Sequence, residues 1–230
     1  MERRYLWLLF DADGTILDYK AAEADALKAA IDAFGFALSD EVRDRYHVIN
    51  SALWARLEQG TVSSAELRVR RFEELAAEFG WSVDAAALSE VYLGELSRGG
   101  HMMPGAMDML DRLPEDRNRA IITNGIRDVQ YGRLAAAGIR DRFAAVAISE
   151  EIGVAKPAPG YFDYVLDLIG FRDTSRMLVI GDSLSSDMAG GIGYGIDTCW
   201  FNPGRKANPT ELRPTYEIAA WPELFPIIES

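Results

Sequence analysis

Asp11 and Asp13, in the run Asp11-Ala12-Asp13-Gly14-Thr15, place two carboxylates two residues apart, directly behind the apolar run Leu6-Trp7-Leu8-Leu9-Phe10. Side chains at i and i+2 leave an extended strand on one side, so both acids face the same space. Gly14 lets the chain turn sharply, and the small hydroxyl of Thr15 follows. The chemistry that uses such a pair is metal-assisted phosphoryl transfer to a carboxylate, in which one Asp attacks and the other moves the proton. Taken alone, the pentapeptide fits an acidic turn after a strand equally well. A calcium loop does not fit, because its glycine belongs at the sixth position and its glutamate at the twelfth. Counting from Asp11, Gly14 is fourth and Ala22 is twelfth.

The run ahead of Asp11 reads as a strand buried on both faces, the pattern of a central parallel strand. Acids at its carboxyl end stand where open α/β sheets bind ligands. Three later segments have related features. Ala120-Ile121-Ile122 runs into Thr123-Asn124-Gly125, a strand ending in a hydroxyl and exposed backbone amides able to hold phosphate oxygens. Gly153-Val154-Ala155 leads to Lys156-Pro157, which supplies a lone positive charge. Met177-Leu178-Val179-Ile180 runs into Gly181-Asp182-Ser183-Leu184-Ser185-Ser186-Asp187, a further strand ending in acids. One at a time these read as a turn, a solvated lysine and a helix N-cap.

Between the acid pair and Thr123 the spacing predicts a helical module from about Tyr19 to Gly99. Leu27, Ile31 and Phe34 make one apolar stripe, closed by Gly35. Ile49, Leu53 and Leu57 make another, ended by Gly60. Ser63 and Glu66 form a capping-box pattern ahead of Phe72, Leu75, Ala76 and Phe79, and Gly80 stops that helix. A fourth helix covers Asp84 to Arg98, and Gly99 to Gly105 reads as a hinge. From Pro104 onward strands and helices alternate, as βαβ units do. The division is therefore a helical domain at 18–99 set into a core made of 1–17 and 100–230.

Composition narrows the function classes. The 230 residues are nearly half apolar, ample for a core, and carry 24 basic against 36 acidic groups, a net charge of −12. That balance argues against nucleic-acid polymers and anionic membranes as partners, but not against a small phosphorylated substrate, whose field a bound cation and Lys156 can reverse locally. Cys199 is the only cysteine, so an intrachain disulfide and a thiolate metal cluster are both excluded; in the run Asp197 to Phe201 it reads as a buried structural thiol. The two histidines, His47 and His101, lie outside the acid segments, which disfavours a Ser-His-Asp triad or a histidine zinc site. Gly191, Gly193 and Gly195 follow a helix rather than a strand, so they suit close helix–sheet packing better than a dinucleotide loop. Met102, Met103, Met107 and Met109 read as hinge and core filler. The apolar N-terminal stretch is too short for a signal peptide and no segment is long enough to span a membrane, so the cytoplasm is the expected compartment.

In their order along the chain, the segments at Asp11, Thr123, Lys156 and Asp182 resemble the four signature motifs of the haloacid dehalogenase-like (HAD) hydrolase superfamily. The resemblance implies an α/β fold, a Rossmann-like parallel sheet core with an inserted four-helix cap. It implies that Asp11 is the nucleophile that forms an aspartyl-phosphate and that Asp13 is the general acid and base. Thr123, the Asn124 amide and Lys156 would hold the transferring phosphate oxygens. An oxygen-only set of the Asp11 side chain, the Asp13 backbone carbonyl and the Asp182 side chain suits Mg2+. Asp187 would hold a metal-bound water, orient Lys156 or ligate directly. An acid two residues after the nucleophile belongs to the phosphatases and phosphomutases of the superfamily, not to its dehalogenases. Receiver-type signalling domains combine similar groups, but are about half this length and have no helical insert.

Asn50 to Gly60, Ser149 to Pro157, and Gly181-Asp182-Ser183 through Asn202-Pro203 further resemble the noncanonical pyrimidine 5′-nucleotidase branch. This implies a Mg2+-dependent nucleoside 5′-monophosphate phosphatase, working as a monomer or homodimer. The alternatives are a small-metabolite phosphatase of the phosphoglycolate or sugar-phosphate type and, further off, a phosphomutase. Asn50 and Trp54 are the candidates for substrate choice. Trp54 points about a third of a turn away from Leu53 and Leu57, so either cleft-facing stacking on a base or a place in the helical core fits it.

Overall fold

The computed structural model describes residues 5–115 and 117–229; residues 1–4, within the expected first core segment, lie outside the described residues. Six strands form one sheet: β1 (Trp7–Phe10), β2 (Asn118–Thr123), β3 (Ala145–Ile148), β4 (Met177–Gly181), β5 (Asp197–Phe201) and β6 (Tyr216–Ile218). Their order is β3-β2-β1-β4-β5-β6, and every neighbouring pair is parallel. The architecture is therefore α/β and Rossmann-like. Sequence runs could suggest the strands but not this order, since parallel neighbours are joined by crossovers rather than by local turns.

β1 lies at the centre because helices cover both faces of the sheet, which suits an unbroken apolar run. Leu8 and Phe10 join Ile121, Leu178 and Ile180 in one buried cluster. Trp7 and Leu9 point the other way and join Ile122, Met177 and Val179 in a second. Phe10 pairs with Ile121 on one side and Ile180 on the other, which brings the carboxyl ends of β1, β2 and β4 level. The residues just beyond those ends form one site.

Four helices follow β1: α1 (Tyr19–Ala33), α2 (Asp40–Glu58), α3 (Ser64–Phe79) and α4 (Ala85–Arg98). Each starts on a side-chain cap, from Asp18, Ser39, Ser63 and Asp84. Ser63 and Glu66 make the reciprocal capping box, and Gly80 ends α3 in the left-handed conformation. Leu27, Ile31, Leu53, Phe72 and Leu75 pack into a cluster of their own. The chain enters and leaves this insert side by side: Asp18 N donates to His101 O and Met103 N to Ile16 O, both at 2.9 Å.

Beyond the insert come α5 (Ala106–Arg112), α6 (Arg127–Ala136), α7 (Ser149–Ile152) and α8 (Pro159–Ile169). A π-helical turn at Leu184–Met188 leads into α9 (Ala189–Tyr194), and α10 (Leu224–Glu229) follows β6. Gly191 lies hard against the sheet; a Cβ there would come within 2.5 Å of Thr198 Cγ2, so close packing accounts for it. Met109 is in the core, with Met102, Met103 and Met107 packed against it. Burial pushes the Cys199 thiol up to about 12, as for an inert structural cysteine. No helix among the described residues is long and apolar enough to cross a membrane.

Candidate active site

Asp11 leaves β1 with its N–H bonded to Ile180 O of β4 at 2.8 Å, which fixes its backbone against the strand that delivers Asp182. Lys156 reaches the same point from the loop before α8. Its Nζ donates to Asp11 Oδ1 at 2.7 Å, Asp187 Oδ1 at 2.6 Å and Ile122 O at 2.7 Å. Burial works against its charge, but the carboxylates of Asp11 and Asp187 outweigh that and hold the ammonium above its ordinary range. Asp187 is fully buried and its second oxygen accepts from Ser183 N at 3.1 Å. Both of its oxygens are thus occupied, one of them in orienting Lys156.

Asp11, Asp182 and Asp187 each offer a carboxylate oxygen, and the three lie within 4.8 Å of one another. Burial, with Asp187 next, drives the Asp11 carboxyl well above the usual range against the pull of Lys156. Asp182 opens to solvent at the cleft floor yet is crowded enough that burial and Asp187 push it up to about 7. Three acids facing one lysine leave an excess of negative charge, and an all-oxygen donor set of this kind fits a hard divalent cation. Gly14 makes room for the Asp182 carboxylate: with φ +84, a Cβ there would come within 2.6 Å of Asp182 Oδ2.

Thr123 ends β2 with its Oγ1 accepting from Gly125 N at 3.0 Å, which leaves the hydroxyl hydrogen for another acceptor. The Asn124 side chain is committed elsewhere. Its Nδ2 donates to Lys156 O and its Oδ1 accepts from Lys156 N, both at 2.9 Å. The carboxamide therefore pins the Lys156 backbone across a separation of 32 residues. Asp13 is held by two donors that the sequence did not single out, Gln130 Nε2 at 2.5 Å and Arg133 Nη1. Both sit on α6, which reads locally as an ordinary amphipathic helix.

Asp11, Asp13, Trp54, Thr123, Lys156 and Asp187 line a cavity of about 230 Å³. Trp54 and Tyr19 also line a larger adjoining chamber of about 870 Å³ between α1 and α2, together with Glu23, His47, Asn50 and Ser51. Trp54 is half-buried, touching the helical core while bordering both spaces. Asn50 is less available: its Nδ2 donates to Glu23 Oε1 at 3.0 Å and its Oδ1 accepts from Arg71 Nη1 at 3.4 Å. Glu23 also accepts from Tyr19 OH at 2.7 Å and faces His47 Nδ1 at 3.2 Å. Burial raises its carboxyl against the pull of Tyr19, His47 and Arg71. On the far side, Glu150 of α7 accepts from Ser64 Oγ at 2.6 Å, Arg68 Nη2 at 2.5 Å and Arg127 N at 2.8 Å. That carboxylate joins the helical insert to the core.

The haloacid dehalogenase-like hydrolase model matches residues 6–195, which span β1 through the end of α9 and every acid just described. The chain belongs to this family. Its HAD relatives include YfnB of Bacillus subtilis, 39% identical over 98% of this chain and 96% of that one. A crystal structure of YfnB bound to magnesium, which reveals interdomain movement, superposes with a TM-score of 0.92 over 99% of this chain and all of that one. The pyrimidine 5′-nucleotidase PynA of Streptococcus pneumoniae is 38% identical over 98% of this chain and 95% of its own. YjjG of Escherichia coli, also a pyrimidine 5′-nucleotidase, is 34% identical over 95% of each. Within the HAD fold, the ends of β1, β2 and β4 and the loop before α8 thus supply one acidic, lysine-anchored cleft, with a polar chamber beside it.

Proposed function

We propose that this HAD phosphatase hydrolyses pyrimidine nucleoside 5′-monophosphates through a covalent phosphate ester of Asp11. The observation that carries the reaction is the placing of Asp11 against Lys156 at 2.7 Å, with Asp13 two residues on and lining the same cavity. The likeness to PynA and YjjG, and the larger chamber of about 870 Å³ adjoining the cavity that holds Asp11, support the substrate class. Residues 18–99 are then the cap and 1–17 with 100–230 the catalytic core.

The Asp11 and Asp182 carboxylates and the Asp13 backbone carbonyl would hold Mg2+, which when bound neutralises the repulsion between a carboxylate nucleophile and a dianionic phosphate. Asp11 attacks phosphorus, and the bond to the 5′-oxygen breaks. Asp13 gives its proton to that oxygen as the nucleoside leaves. Asp13, now a carboxylate, takes a proton from the water that attacks the phosphorylated Asp11. The phosphorus–carboxylate bond breaks, phosphate leaves and Asp11 is restored. Throughout, the Thr123 hydroxyl and Lys156 ammonium stabilise charge on the non-bridging oxygens, and Asn124 and Asp187 keep Lys156 in place.

Phosphate release with magnesium across purine and pyrimidine nucleotides, phosphoglycolate and sugar phosphates tests the reading. The expected result is the highest kcat/KM with pyrimidine 5′-monophosphates. Preference for phosphoglycolate or a hexose phosphate would replace it with the small-metabolite alternative.

A further inference from the structure

Helix α6 faces Asp13 with one side and carries the joint of the cap on another. Gln130 and Arg133 lie three residues apart and so share a face. Both are fully buried, and between them they occupy both oxygens of Asp13, Gln130 Nε2 on Oδ2 and Arg133 Nη1 on Oδ1. Arg133 Nε donates in addition to Gly99 O at 3.0 Å, the carbonyl at which α4 hands the chain back to the core. Its guanidinium lies 5.8 Å from the ring of Tyr19, the first residue of α1.

The surroundings are shaped for these two side chains. A Cβ on Gly125 would come within 2.1 Å of Gln130 Nε2, so the last residue of Thr123-Asn124-Gly125 clears the path to Asp13. The joint itself is packed backbone against backbone. A Cβ on Gly132 would meet Ser97 O at 2.7 Å, and one on Gly100 would meet Ala137 N at 2.5 Å. An ion pair buried in this way adds little to stability that apolar groups would not. Its distinctive effect is on geometry.

We propose that Gln130 and Arg133 are positioning residues that clamp the Asp13 carboxyl in its working orientation, and that Arg133 ties that orientation to the hinge carbonyl of Gly99. The inference rests on the acid–base reading of Asp13. An unclamped aspartate at the rim of a cleft rotates freely about two torsions, and a displacement of about 1 Å from the reacting oxygen is worth on the order of a hundredfold in rate. Arg133 bonds the Asp13 carboxylate and the hinge carbonyl together, so it sets where that carboxyl stands relative to the cap.

The test is a mutant cycle with Mg2+ present, using Gln130→Leu, Arg133→Met and Arg133→Lys, each alone and combined with Asp13→Asn. Uridine 5′-monophosphate is the main substrate. A p-nitrophenyl ester, whose leaving group needs no proton, keeps the first step measurable in the Asp13→Asn background as a pre-steady-state burst of nitrophenol, although Asp13 still serves the second step. Each clamp variant should lower kcat by roughly ten- to a hundredfold with KM within about threefold, Arg133→Lys recovering part of the loss. In the Asp13→Asn background the same changes should cause no further loss, because the residue they position no longer acts. Losses that multiply in that background, or single variants with wild-type kcat, would overturn the clamp. Should Arg133→Met not fold, Gln130→Leu, which removes one neutral donor, decides the matter on the same criteria. Near-wild-type turnover of Asp13→Asn alone would overturn the acid–base reading itself, and the clamp with it.

Discussion

The floor of the cleft and the chamber beside it both carry polar side chains, yet the floor is buried at Asp11, Lys156 and Asp187 while Lys20, His47 and Ser51 leave the chamber open to solvent. At the floor, Lys156 satisfies three acceptors, Asp187 uses both oxygens, and Asn124 holds the Lys156 backbone at two points. In the helical insert, Glu23, Asn50 and Arg71 form a looser network in which Arg71 Nη2 finds no hydrogen-bond partner among the described residues. Arg71 leans instead on the ring of Tyr92 at 4.5 Å. Fully satisfied networks are rigid, while partly satisfied ones have room to rearrange. On the proposed function, the nucleophile and its lysine stand on the stiff region and the nucleoside meets the adaptable one, with Asp13 between them on Gln130 and Arg133.

The sharpest way to break this contrast is at the floor. Asp11→Asn should fold normally and lose at least about a thousandfold in kcat, ~4 kcal/mol of transition-state stabilisation, because the amide is near-isosteric but not an anionic nucleophile. Steady-state kinetics beside a melting curve decide it; turnover within tenfold of wild type removes the covalent route.

Withdrawing the metal should stop turnover reversibly, and its effect on stability should depend on pH. The Asp182 carboxyl is raised from 3.8 to about 7, so its folded form favours the proton. Its contribution to stability is complete below the unfolded value and is lost as pH rises through about 7. Metal-free protein should therefore lose this contribution between about pH 4 and pH 7, and Mg2+ should raise Tm more at pH 8 than at pH 5. Thermal melts at both pH values with and without Mg2+ check this; an equal shift at the two would contradict a site built on Asp182.

The strands and motif residues were legible because each is a local pattern: an apolar run, then an acid, hydroxyl or glycine at its end. The helix ends within the insert were legible for the same reason, through Ser63 with Glu66 at one end of α3 and Gly80 at the other. Gln130 and Arg133 were not, since nothing in α6 marks which turn will face an aspartate 117 and 120 residues away. Asn124 shows the same limit: the loop offered its backbone amide for phosphate, but that its carboxamide would hold the Lys156 backbone could not be read locally. Nothing local marks Glu23; the packing of α1 against α4, with Asn50 and His47 reaching it from α2, buries it.

A smaller effect is expected in the chamber. Trp54→Ala should weaken kcat/KM for nucleotides by the roughly 1–3 kcal/mol that stacking on a base supplies, with a p-nitrophenyl ester nearly unaffected. Equal losses on both substrates with a lowered Tm would assign Trp54 to the helical core alone. Smallest of all should be Glu150→Gln. The ion pair with Arg68 is partly exposed, where such pairs are worth about 0–1 kcal/mol, so kcat/KM should shift by no more than about fivefold. A larger loss confined to kcat would make this carboxylate part of the stiff region.

The side-by-side entry and exit of the insert, where Asp18 N meets His101 O and Leu17 bridges Met102, has an engineering consequence. The socket closes behind whatever is plugged into it. Excising the helices between these points leaves two chain ends already neighbours, short enough to join by a tight turn, with β1 still central and the sheet order untouched. A differently shaped cassette grafted on the same pair of ends would then change which molecules reach Asp11 while leaving the nucleophile and its lysine as they are.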